Sequence, residues 1–140
     1  MKRTNILLLI LKLTVAVILL QTLFFKFTGA EESIFIFSTL NMEPWGRIGS
    51  GVVELLAVIL LLIPKTTWVG AILASGSMAG AIFFHFTRLG IEVQEDGRLL
   101  FALACTALAA SLVILYVEYK RKRIPLRMLY STQKPKAPSV

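Results

Sequence analysis

Read for polarity alone, the chain is four long apolar runs separated by short polar breaks: Ile6 to Phe25, Gly46 to Ile63, Trp68 to Phe86 and Leu99 to Val117. A bilayer hydrocarbon core of roughly 30 Å is crossed by about 20 apolar residues in helical form, so each run has the length of one span. Backbone groups in hydrocarbon must be satisfied within their own segment, which makes such spans helices. The sequence therefore predicts an all-α fold, an antiparallel bundle of four transmembrane helices. The break Pro64-Lys-Thr-Thr67 is too short for anything but a turn between antiparallel neighbours. The first break is longer and has its own pattern. Ile34, Phe35, Phe37, Leu40, Met42 and Trp45 make it amphipathic and aromatic, as expected of a short helix at the membrane interface. Thr28-Gly-Ala-Glu31 has the spacing of a capping box, which predicts that this helix starts there. Pro44 suits the first turn of the second span, where its missing N–H costs nothing.

Composition agrees with a membrane chain, since 56% of residues are hydrophobic, 16% are charged and the mean hydropathy is +0.77. On this reading residues 1–120 form one membrane domain and residues 121–140 a basic tail, disordered beyond about Tyr130.

The net charge of +7 raises the possibility of nucleic acid, but the charge positions point elsewhere. Lys2 and Arg3 precede the first span, Lys65 lies between the second and third, and Lys120, Arg121, Lys122, Arg123, Arg127, Lys134 and Lys136 follow the fourth. The alternate breaks hold Glu31, Glu32, Glu43, Glu92, Glu95 and Asp96, which dilute Lys26, Arg47, Arg88 and Arg98. This asymmetry places both termini in the cytoplasm and predicts no nucleic-acid partner. The basic segment after Tyr119 also suits anionic headgroups. Thr28-Gly-Ala30 has the small residues of a cleavage site, but the apolar run is too long for a signal peptide and Lys26 falls inside the cleavage segment, so the first span is read as retained. Cys105 is the only cysteine and sits within a span, which excludes an internal disulfide and reads as packing.

Polar residues inside the spans carry the candidate chemistry, because an ionisable group at the bilayer centre costs roughly 2.5–3.5 kcal/mol on insertion scales. Lys12 lies about 9 Å into the first span and is expected to snorkel back toward Lys2 and Arg3. Gln21 shares a stripe with Thr14 and Thr28, which suggests hydrogen bonding between helices. Glu54 lies roughly 12 Å inside the second span. It follows Gly46 and Ser50 at four-residue spacing, so it is expected to face the bundle interior. His85 is near the end of the third span, where interfacial water would serve it equally well. Helix direction tilts Lys26, Glu54 and His85 toward one level, and the expectation is a polar pocket lined by these three and roofed by the aromatic segment ending at Trp45. No catalytic residue can be named. One histidine and one cysteine are too few for most metal sites. Gly76-Ser-Met-Ala-Gly80 and the alanines of the fourth span predict that spans three and four pack in the interior, with span one facing lipid over most of its circumference.

Several of these residues also lie in segments with a family likeness. K-F-T-G at Lys26 to Gly29, E-P-W-G-R at Glu43 to Arg47, G-V-V-E-L-L-A-V-I-L-L-L-I-P at Gly51 to Pro64 and G-S-M-A-G-A-I-F-F-H at Gly76 to His85 resemble successive signature segments of DoxX-like membrane proteins, from about Phe24 to Lys120. The resemblance implies a four-helix membrane bundle in a bacterial inner membrane. Members of that family are linked to thiosulfate:quinone oxidoreductase, to membrane-associated oxidoreductase complexes and to assembly or chaperone-like roles. The lack of a second cysteine in this sequence argues against a thiol relay of its own.

Three functions follow as expectations. The first is a membrane subunit of a quinone-linked oxidoreductase system, with no intrinsic cofactor and quinone as the candidate ligand, since a quinone needs an apolar slot with one or two hydrogen-bond partners. The second is a non-catalytic scaffold or assembly factor for a membrane or redox partner. The third is a small permease acting as a homo-oligomer. Whether the chain is an enzyme stays open at this point.

Overall fold

The computed structural model describes residues 2–121. Among them are five α-helices and no strand: α1 (Lys2–Thr28), α2 (Glu31–Thr39), α3 (Trp45–Leu62), α4 (Thr67–Phe84) and α5 (Leu99–Lys120). A single π-helical turn, His85–Leu89, prolongs α4. Helices α1, α3, α5 and α4 with its π turn are each long and apolar enough to cross a membrane, and α2 is the short helix between the first two spans. The basic tail, apart from Arg121, lies outside the described residues.

Around the bundle, α1 packs against α3 and α5, and α4 packs against the same two from the opposite side. The core runs along the axis through Val15, Leu19, Ala57, Leu61, Ala71, Ala74, Ala107 and Ile114. Each span buries only 28% to 39% of its most apolar window, and Ile6, Val17, Leu56, Ile72 and Leu112 point outward. A four-membered ring leaves every helix one side for the core and the rest for lipid. The expected ranking, with spans three and four inside and span one outside, is therefore corrected: α1 is as buried as its neighbours.

Glycine explains one close approach. A Cβ on Gly70 would fall onto the Leu61 backbone and the Ala57 carbonyl oxygen, so α3 and α4 touch where no side chain could stand between them. At the other end, Gly29 in the left-handed region (φ +67°) stops α1. Its neighbour does not act as predicted. Thr28 remains in α1 and donates its hydroxyl to the Phe24 carbonyl (2.6 Å), while α2 starts at Glu31 behind Ala30 with no side-chain cap. The capping box fails because Thr28 finds an acceptor in its own preceding turn.

Candidate functional site

Glu54 sits on the inward face of α3 and is 1% exposed. A carboxylate so deeply buried is tolerable only when its charge is paired and its oxygens are hydrogen-bonded, and two other helices supply those partners. Lys26 Nζ of α1 donates to Oε1 at 2.6 Å, Ser77 Oγ of α4 donates to the same oxygen at 3.0 Å, and Thr22 Oγ1 of α1 donates to Oε2 at 2.9 Å. Thr22 and Lys26, one turn apart, share a helix face. The Thr22 hydroxyl also lies 2.8 Å from the Leu19 carbonyl, so its one proton is divided between two acceptors. The ammonium stands 5.8 Å from the centre of the Phe37 ring, which brings α2 over the cluster. Outside it, the Lys26 carbonyl accepts Arg47 Nη1, and Arg47 Nε is held by Glu43 at 2.8 and 2.9 Å. The end of α1 is thus fastened to α3 through both its side chain and its backbone.

Lys26, Glu54 and His85 line one cavity of about 890 Å³ beneath α2. Its walls are largely apolar and aromatic, with Phe25, Phe37 and Phe84 among them. Gly76 and Gly80 also line it, and a Cβ at either would meet nothing within 4 Å. In this stretch of α4 the small residues therefore make room rather than contact.

His85 reaches the cavity by a separate route. It opens the π turn, is 5% exposed, and packs edge-on against Phe101 with ring centres 5.6 Å apart. Its Nδ1 lies 2.7 Å from the Gly90 carbonyl oxygen. A carbonyl can only accept, so Nδ1 carries the proton and neutral His85 keeps its lone pair on Nε2. Gly90 adopts φ +79°, a left-handed conformation suited to glycine. Asp96, also at the cavity, accepts backbone N–H groups of Val93, Arg98 and Leu100 at 2.9 to 3.1 Å and so caps the start of α5. Partial burial pushes the Asp96 carboxyl up, but these three backbone donors outweigh it and hold the group below its ordinary value.

Of the residues singled out in the sequence, Lys26 and Glu54 are bonded to each other and His85 shares their cavity. Trp45 does not line it; it is 65% exposed at the start of α3. Gln21 lines the cavity, yet its stripe does not bond between helices as expected, since Thr14 and Thr28 donate to carbonyls of their own helix. Thr22 is the residue that reaches across, and with Ser77 it was missed. The signal for Thr22 was its position four residues before Lys26. Lys12 is corrected as well: it does not snorkel but is buried, donating to Thr67 Oγ1 at 2.8 Å. Threonine at the first turn of α4 offers an acceptor nearer than water. Among the described residues, no group of three or more histidines, cysteines or acids is placed to hold a metal.

Comparison with curated proteins and with solved structures finds no match. The model of the DoxX-like family matches residues 10–112, a stretch that contains the whole Glu54 cluster and the π turn. With that match and four membrane-crossing helices, the chain is an integral membrane protein and belongs to the DoxX-like family.

Proposed function

We propose that the protein is the membrane subunit of a quinone-linked oxidoreductase system and that its cavity receives the quinone ring. The observation that carries this reading is one apolar, aromatic space of about 890 Å³ bordered by an ammonium, a carboxylate and an imidazole of fixed tautomer. That volume lies within the range of small-molecule sites, which combine apolar walls with a few placed polar groups. Lys26 is suited to donate to a ring carbonyl, with Glu54 holding the ammonium in place. His85 Nε2 is suited to take a proton from a ring hydroxyl, and Nδ1–H on Gly90 keeps the imidazole from turning away. A bound quinone would supply the two-electron chemistry, with the electrons exchanged with a partner protein.

The lysine and arginine distribution supports cytoplasmic termini, which would put the cavity in the opposite leaflet. The scaffold reading draws on a different feature, the exposed Ile34, Phe35 and Trp45 beside the cavity. Purification in mild detergent separates the two. The expected result is near-stoichiometric quinone in the wild type and its loss in Glu54→Gln and His85→Ala. A protein that carries no quinone but retains a stoichiometric partner would replace the quinone reading with the scaffold.

A further inference from the structure

We propose that this cavity selects neutral and cationic amphiphiles over anionic ones of the same shape, and that Glu31 and Glu32 set the preference. The inference rests on the cavity being a binding site, as above, but not on quinone being its occupant.

The charged side chains lining the cavity are Lys26, Glu31, Glu32, Glu54, His85 and Asp96. Lys26 and Glu54 lie 2.6 Å apart and cancel, which leaves three carboxylates, Glu31, Glu32 and Asp96, against one imidazole. Backbone donors hold the Asp96 carboxyl below its ordinary value, so it counts among the negative groups. Arginines at the same end do not redress the balance at the lining. Arg47 is occupied by Glu43 and the Lys26 carbonyl, while Arg88 and Arg98 are not part of the wall.

The apolar part of the wall favours the same sign. Aromatic faces attract cations, and Phe37 already stands over an ammonium. Field lines are focused where low-dielectric walls bound a cleft of one charge sign. Glu31 and Glu32, in the first turn of α2, line the same cavity as the Phe25, Phe37 and Phe84 rings. A carboxylate or phosphate headgroup is repelled by that lining, whereas a neutral ring is tolerated and a cation is attracted.

Tetraphenylphosphonium and tetraphenylborate, nearly identical in shape and opposite in charge, are the probes. Equilibrium dialysis against the full chain in neutral detergent, with the cavity-filling Gly80→Leu variant as the baseline for detergent partition, measures saturable binding of each. The phosphonium is expected to bind above baseline at least about tenfold more tightly than the borate at low salt, with the ratio falling as salt screens the mouth. The double variant Glu31→Gln/Glu32→Gln is expected to remove most of that ratio. Equal or tighter binding of the borate, an unchanged ratio in the double variant, or no saturable binding of either ion overturns the proposal. Quinone content is a separate readout, so a quinone-free protein that still discriminates the ions would fail the functional reading and leave this one standing.

Discussion

The two ends of the bundle are built from the same four helices and the same kinds of residue, yet one end is closed and the other hollow. Where the chain enters and leaves, Leu61, Thr67, Ile114 and Glu118 have no exposed surface, and Gly70 lets α3 and α4 meet backbone to backbone. Two turns further along α4, Gly76 and Gly80 face open space. The lesson is that a small residue in a membrane helix has no fixed meaning. It closes a gap where a neighbouring helix follows the surface, and it leaves one where no neighbour comes within reach, as at Gly76 and Gly80. Buried charge divides the same way. The hydrogen bond donated by Arg121 Nη2 to Asn5 Oδ1 marks the register of α1 against α5. That register brings Lys12 and Glu118 toward one level of the closed end, since each side chain tilts back along its own helix. Lys26 and Glu54, by contrast, border space that a ligand can occupy.

Three substitutions probe this contrast. The largest effect is expected for Lys26→Met, which strands a carboxylate that is 1% exposed. Breaking a buried pair from one side costs about 3–5 kcal/mol, measurable by equilibrium unfolding in mixed micelles. Adding Glu54→Gln should restore most of the loss, and a double variant no more stable than the single would show that the charge pair is not what holds α1 to α3. Next is Gly70→Ala, whose methyl lands on backbone that cannot give way; overpacking predicts a loss of about 1–3 kcal/mol or more. The smallest effect is expected for Gly80→Ala, which fills open space and gains about 0.5–1 kcal/mol of helix propensity. If the two glycine variants lose stability equally, the distinction between closed and hollow ends collapses.

Much of the architecture was legible because hydrocarbon imposes it. The four spans, the short interfacial helix and the inward face of Glu54 all follow from length and periodicity. What escaped depends on local competition for hydrogen bonds. Thr28 was expected to cap forward and instead bonds backward. Lys12 was expected to seek water, and Thr67 stood closer. Glu118 drew no notice, because an acid beside Tyr119, Lys120 and Arg121 reads as part of a solvated end. Yet α5 continues through it to Lys120 and turns it inward. Ser77 was hidden in a motif of small residues whose packing role seemed sufficient. The cavity itself could not be read from the sequence, because an absence of contact depends on how the helices are spaced, which no local pattern encodes.

The order of synthesis gives the two lysines of α1 a consequence beyond the finished fold. α1 leaves the ribosome before α3 and α4, yet the group that receives Lys26 lies 28 residues downstream and the one that receives Lys12 lies 55 downstream. Until the hairpin of α3 and α4 arrives, the nascent helix carries two ammonium groups that the acyl chains will not accept. Its final seat is therefore taken late, and α1 waits on the third span before it can settle.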